Sequence, residues 1–198
     1  MFCVSKPTEQ QIRATLARQQ TQDFSYSEVG SSRAELPRHY AVLHSRTNIG
    51  RGSVTFEKAM AAVSQWKMFD LPGIWLCWPS APVRPGSTVA LVIKHFGFWS
   101  LNCCRIVYVV DDEDGPLRRY GFAYGTLPEH AERGEERFTV EWDRTSDLIC
   151  YDILSFSRPA NLLTQMAYPV ARRLQRSFMR NSLAAMASAV QPDNSVSV

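Results

Sequence analysis

Between residues 74 and 156 short apolar-rich runs with β-branched and aromatic residues are broken by polar turn residues, which is the signature of successive strands. Six strands are predicted there: Ile74 to Trp78, Thr88 to Phe96, Asn102 to Val110, Arg118 to Gly125, Glu135 to Trp142, and Leu148 to Phe156. The stretches between them, Pro79 to Gly86, Gly97 to Ser100, Asp111 to Pro116, Thr126 to Gly134 and Arg144 to Asp147, are short and carry turn chemistry. Neighbouring strands joined so briefly pair antiparallel, as a meander. An earlier strand is predicted where Tyr40, Val42 and His44 alternate with Ala41, Leu43 and Ser45, ending at the turn Asn48-Ile49-Gly50-Arg51-Gly52.

Elsewhere the period changes to that of a helix. Thr8 to Gln20 carries Ile12 and Leu16 on one face with Thr8 as N-cap, a thin face suited to a peripheral helix. Ser53 can cap a second helix, in which Phe56, Met60, Val63 and Lys67 share a spacing beside Ala59 and Trp66, stopped by Leu71-Pro72-Gly73. Pro159 can open a short helix and Pro169 a longer one. Leu163, Ala167, Val170, Leu174 and Phe178 line one side of this region, and Arg172, Arg173, Arg176 and Arg180 another. Beyond Phe178 a second apolar row, Met179, Leu183, Met186 and Val190, implies wider enclosure of the distal half.

Strand, helix, six strands and a long helix make an α+β chain. Its simplest packing is the helix-grip arrangement, a curved antiparallel sheet of about seven strands wrapped around the long C-terminal helix. The expected division is an N-terminal extension with a peripheral helix over 1–23, one helix-grip domain over 24–190, and a disordered tail over 191–198. A sheet bent around a helix encloses a space lined by inward strand positions, suited to small apolar molecules.

The segments Phe24-Ser25-Tyr26, Leu76-Cys77-Trp78-Pro79, His95-Phe96-Gly97 with Trp99 to Asn102, Gly121 to Arg137, and Phe156-Ser157-Arg158-Pro159 resemble an uncharacterised domain-of-unknown-function family of bacteria and plants. The resemblance covers roughly Phe24 to Met186 and implies no established activity. The strand order and last helix separately resemble the START and pollen-allergen (SRPBCC) superfamily, which implies a helix-grip fold and a lipid, steroid or polyketide ligand.

Composition narrows the function classes. A chain of 198 residues with 45% apolar content can bury a substantial core. A formal charge of +3 is too small for the concentrated basic footprint of a nucleic-acid binder. Cys3, Cys77, Cys103, Cys104 and Cys150 are odd in number and show no disulfide-framework spacing. With no apolar leader and no membrane-length apolar run, reduced thiols and a cytoplasmic location are expected. No phosphate loop, nucleophile elbow or zinc-helix motif is present, so no cofactor and no metal are expected.

Candidate chemistry sits on the strands. His130, Glu132, Glu135 and Glu136 lie in or beside the polar connection after Gly125, where a histidine with carboxylates suits acid and base work; the competing reading is a solvated hairpin tip. Alternation puts Glu136 in a row with Phe138, Val140 and Trp142, Arg105 with Cys103, and Asp152 with Cys150, Leu154 and Phe156. A charge in such a row must be paired or neutral, so Arg105, Glu136 and Asp152 either hold a polar ligand group or form an internal brace. Tyr120, Phe122 and Tyr124 share a face and, with Trp142 and Trp99, can wall a flat ligand or simply pack a core. The leading expectation is a binder of a hydrophobic or amphipathic small molecule, with Arg105, Tyr120, Phe122, Tyr124, Glu136, Trp142 and Asp152 lining its site. The alternatives are an enzyme of the same fold (cyclase, dehydratase or hydrolase type) using His130 or His95 with Glu136 and Asp152, and an interaction module whose basic helix face meets an acidic partner or a membrane surface.

Overall fold

Long strands rich in β-branched and aromatic residues twist as they pair, and a twisted sheet of such strands curls into a gutter whose concave face must be filled. In the computed structural model, which describes residues 1–160, 165–166 and 168–191, that gutter is closed by two helices. In chain order the elements are β1 (Phe2–Cys3), α1 (Glu9–Gln19), β2 (Ala41–Arg51), α2 (Gly52–Ser64), β3 (Ile74–Cys77), β4 (Thr88–Lys94), β5 (Trp99–Asp112), β6 (Leu117–Thr126), β7 (Glu132–Asp143), β8 (Leu148–Pro159) and α3 (Tyr168–Ala189). The short helix expected after Pro159, with Leu163 and Ala167, lies outside the described residues, as does the expected tail beyond Gln191.

The sheet runs β2-β8-β7-β6-β5-β4-β3, every pair antiparallel, with β1 added beside the start of β5. This is the expected helix-grip fold: β3 to β8 form the meander, and α2 carries the chain from one edge, β2, to the other, β3. The sequence reading missed β1, because two residues hold no periodicity. Ser53 does not cap α2, which starts at Gly52 with Arg51 in the cap position and no side-chain cap.

One end of the gutter is solid. Phe56, Ala59, Ala62 and Val63 of α2 face the sheet, and Trp66 and Phe69 beyond it wedge against Phe122 and Phe138 with ring centroids 4.6 and 5.4 Å apart. Each such ring contributes roughly 1.5–3 kcal/mol by leaving water. At the other end α3 covers the gutter. Its distal half is seated, with Met179, Ser182, Met186 and Val190 buried, whereas Val170 and Leu174 of its proximal half are 56% and 39% exposed. The helix thus closes one part of the concave face and bridges over another.

The convex face is covered as well. Ile12 of α1 packs with Ala90, Val92, Leu101, Cys103 and Leu127, and Phe24, Tyr26 and Tyr40 pack on Phe156. Gly125 permits this: a Cβ there would lie 2.3 Å from the Tyr26 hydroxyl and 2.9 Å from the Phe24 ring, so any side chain would lift the segment off the sheet. Beneath that segment Glu135 accepts hydrogen bonds from the Tyr26 hydroxyl (2.6 Å), Gly30 N (2.7 Å), Ser32 N (3.0 Å) and the Ser32 hydroxyl. A carboxylate with four donors is satisfied in a buried site, and it latches the N-terminal segment to β7.

Candidate functional site

Where the proximal half of α3 stands away from the sheet, a cavity of ≈ 400 Å³ remains. Its floor is the aromatic layer that ends the packed half. Phe69 stacks on Tyr124 and Phe178 at 6.0 and 5.5 Å, so the rings of one short turn, β6 and α3 close it below. Leu43, Leu91 and Ile93 give it apolar walls, and Val170, Ala171 and Leu174 its roof.

Polar groups enter from inward positions near the strand ends. Glu136 of β7 accepts from the Tyr124 hydroxyl of β6 at 2.8 Å. Its side chain is half-buried in the cavity lining, and burial pushes its pKa up to about 7, with the Tyr124 bond opposing the effect and the negative charge of Glu132 adding to it. Glu132 is likewise raised by burial, against the pull of the Ser157, Gln175 and Arg172 side chains. Gln175 Nε2 reaches both Glu132 and the Ser157 hydroxyl, tying α3 to β7 and β8.

Two histidines face the same space. His130 is not at a solvated hairpin tip: the connection folds inward, Leu127 is buried, and the His130 Nδ1 accepts from Glu132 N at 3.0 Å. Burial pushes the His130 imidazole down to about 4, so it is neutral at ordinary pH. The sequence signal for the inward fold was Leu127, an apolar residue in a polar stretch, and Arg18 of α1 pairs with Glu129 from outside at 2.9 Å. His95 hydrogen-bonds the Ser100 hydroxyl at 2.8 Å, stacks on Phe98, and is lowered by burial.

The structure therefore gathers His130, His95, Glu136 and Tyr124 around one cavity and leaves the other candidates elsewhere. Arg105 lies on the convex face, donating to the carbonyls of Gln19, Gln20 and Gln22 at 3.1, 2.9 and 2.8 Å. Asp152 is on the convex face too, held by His44 Nε2 at 2.6 Å and Arg137 at 3.1 Å. The brace reading fits Asp152, with Arg137 rather than Arg105 as its cation. Both were misplaced because the N-terminal segment buries the convex face, so apolar neighbours mark either side of the sheet. Phe122 is sealed between Trp66 and Phe138. Tyr120 bonds the Ser64 hydroxyl at 2.8 Å, and Trp142 packs on Phe56 and donates to Asp147 at 2.9 Å. These three sit at the end that α2 fills, beyond the floor of the cavity. Trp99 packs against Trp75 outside the cavity lining.

Cys103 and Cys104 point to opposite faces, one under α1 and one into the main core. Among the described residues no group of three or more His, Cys, Asp or Glu is placed to hold a metal ion, and no helix is long and apolar enough to cross a membrane. Arg173, Arg176 and Arg180 of α3 are exposed, while Arg172 is engaged with Gln175.

Residues 25–185 match a family described as a domain of unknown function, DUF1990. A UPF0548 protein of Dictyostelium discoideum is 36% identical over 214 residues, covering 99% of each chain. A UPF0548 protein of Deinococcus radiodurans is 37% identical over 195 residues, covering 91% of this chain and 94% of its own. The crystal structure of the hypothetical protein jhp0584 of Helicobacter pylori aligns at a TM-score of 0.53 with 7% identity, covering 86% of this chain and 98% of that one, a likeness of fold alone.

Proposed function

The chain belongs to the DUF1990 family, and from that premise and the geometry of its hollow half we propose that it binds a hydrophobic or amphipathic small molecule between the sheet and the C-terminal helix. The observation that carries this reading is the ≈ 400 Å³ cavity, with apolar walls and a few polar side chains converging at one end. That combination, within the usual size range of ligand sites, buries an apolar body while fixing one polar group. Native mass spectrometry of the protein purified from its own host, followed by solvent extraction, should release a bound small molecule. Ala171→Trp, which thrusts an indole from the roof into the space, should abolish binding of the dye N-phenyl-1-naphthylamine while keeping the wild-type circular dichroism. Absence of any released molecule together with undiminished dye binding by Ala171→Trp refutes the reading.

A second reading, an enzyme of the same fold, is favoured by one observation. Glu136 sits at a pKa of about 7 against an apolar cavity, the condition in which a carboxyl can both give and take a proton near neutrality. His130 and His95 border the same space, and Asp152, facing away, has no part in it. Incubating the extracted molecule with fresh protein separates the two readings: a binder returns it unchanged, whereas an enzyme converts it and Glu136→Gln does not.

A further inference from the structure

The polar groups around the cavity are unbalanced in sign and in hydrogen-bonding type. Of the acids that face it, Glu136 is paired with no basic side chain among the described residues, and Glu132 feels the charge of Arg172. Lys94 borders the cavity but holds its ammonium over the Trp99 ring, and Arg172, hydrogen-bonded to Gln175 and the carbonyl of Val42, offsets part of the Glu132 charge. Residues 161–164, 167 and 192–198 include no Lys or Arg in their sequence. Several donors in the lining are already used within it: the Tyr124 hydroxyl on Glu136, Asn102 Nδ2 on Ser100, Gln175 Nε2 on Glu132 and Ser157, and the Thr126 hydroxyl on the Gly134 carbonyl. An ionised carboxylate has room for about four donors, and Glu136 receives one among the described residues.

A site with spare acceptors and surplus negative charge, enclosed and apolar elsewhere, is complementary to a donor that carries positive charge. We infer that the ligand of this cavity is an amphipathic amine whose ammonium group seats on Glu136, within the negative field of Glu132, with its apolar body along Leu91, Ile93 and Leu174. The inference rests on the cavity reading above and names the head group that reading leaves open. An anionic head group would meet two buried carboxyls, of which only Glu132 is offset by a cation, Arg172. A neutral hydroxyl could satisfy Glu136 but would forgo the charge-assisted bond, which is about twice as strong as a neutral one.

Among the groups around Glu136, Glu132 is the other acid whose ionisation adds to the same negative field. Tyr124 on β6, Cys104 on β5 and Tyr151 on β8 are all pushed upward by burial and stay neutral below pH 9, and Glu132 on β7 shares the upward shift. From α3 come Tyr168, Arg172, whose positive charge acts on Glu132, and the non-titrating Gln175, Ser177 and Asn181, while burial lowers both His95 and His130, the latter to about 4. Amine affinity should accordingly rise from pH 6 to pH 8 as Glu136 ionises, while the affinity of an alcohol does not.

The test is displacement of N-phenyl-1-naphthylamine by decylamine, 1-decanol and decanoate, three probes with one chain length and different head groups. At pH 8 decylamine should displace the dye at roughly tenfold lower concentration than 1-decanol, the ratio that about 1.4 kcal/mol of charge-assisted bonding produces, and decanoate should be weakest. Glu136→Gln, nearly isosteric, should bring decylamine to within about threefold of 1-decanol, and Glu132→Gln should narrow the gap less. If dye and decanol bind but decylamine has no advantage, or keeps it in Glu136→Gln, the head-group inference fails and the cavity reading stands. If neither the dye nor any probe binds, both fall.

Discussion

Replacing Glu136 by Gln should make the protein more stable, and by an amount set by pH. A carboxyl that ordinarily ionises at 4.5 but in the fold only at about 7 holds its proton more tightly when folded. Below pH 4.5 it is protonated in both states and contributes nothing to the difference. Between 4.5 and 7 the unfolded chain ionises while the folded one resists, so stability falls as pH rises, and above 7 the whole penalty is present. At ~1.4 kcal/mol per pH unit this amounts to about 3 kcal/mol. Glutamine carries no charge and its Oε1 can still accept from the Tyr124 hydroxyl, so the variant avoids the penalty with little loss of hydrogen bonding. Urea unfolding at pH 4.5, 6, 7 and 8 should show near-equal stability at the lowest pH and an advantage for Glu136→Gln of about 3 kcal/mol at the highest. His130 acts in the opposite sense: lowered to about 4, it withdraws stability as pH falls from 6.5, but it is common to both proteins and cancels in the difference. An advantage that is independent of pH, or a variant less stable at pH 8, would refute the view that Glu136 is a buried, uncompensated acid.

Two further outcomes follow from the placements on the convex face. Glu135→Ala should lower stability by on the order of 3–5 kcal/mol in urea unfolding, because four buried donors lose their acceptor, and limited proteolysis should then open the segment around Tyr26 and Ser32 first. Asp152→Asn should destabilise by about 1–3 kcal/mol through its buried pairing with Arg137, yet leave dye binding within twofold of wild type; a large loss of binding would return Asp152 to the site.

Much of this architecture could be read from the chain because its signals are local. The apolar run of Thr88 to Phe96, the alternation in Glu135 to Trp142 and the turns between strands require only neighbours in sequence, and short connections then oblige the strands to pair in order. The same logic put Glu136 on the face of Phe138 and Val140, where it lies. It failed for Arg105 and Asp152, since both faces of β5 and β8 are covered and an apolar row no longer distinguishes inside from outside. The register shift of β5 between Ile106 and Tyr108 also reverses the alternation along that strand, putting Val109 on the concave face although Cys103 and Arg105 lie on the convex one.

By itself the sequence determined the long elements, their order, the antiparallel meander and the helix laid along it, because periodicity and turn chemistry act over a few residues. Tertiary structure alone decided that Trp66, Phe69 and Phe122 fill one end of the gutter, that the proximal half of α3 stands clear of the other, and that Glu135 binds the N-terminal segment while its neighbour Glu136 faces a hollow. Those outcomes depend on which distant surfaces meet and how completely they fill space, and no pattern within a single segment carries that information.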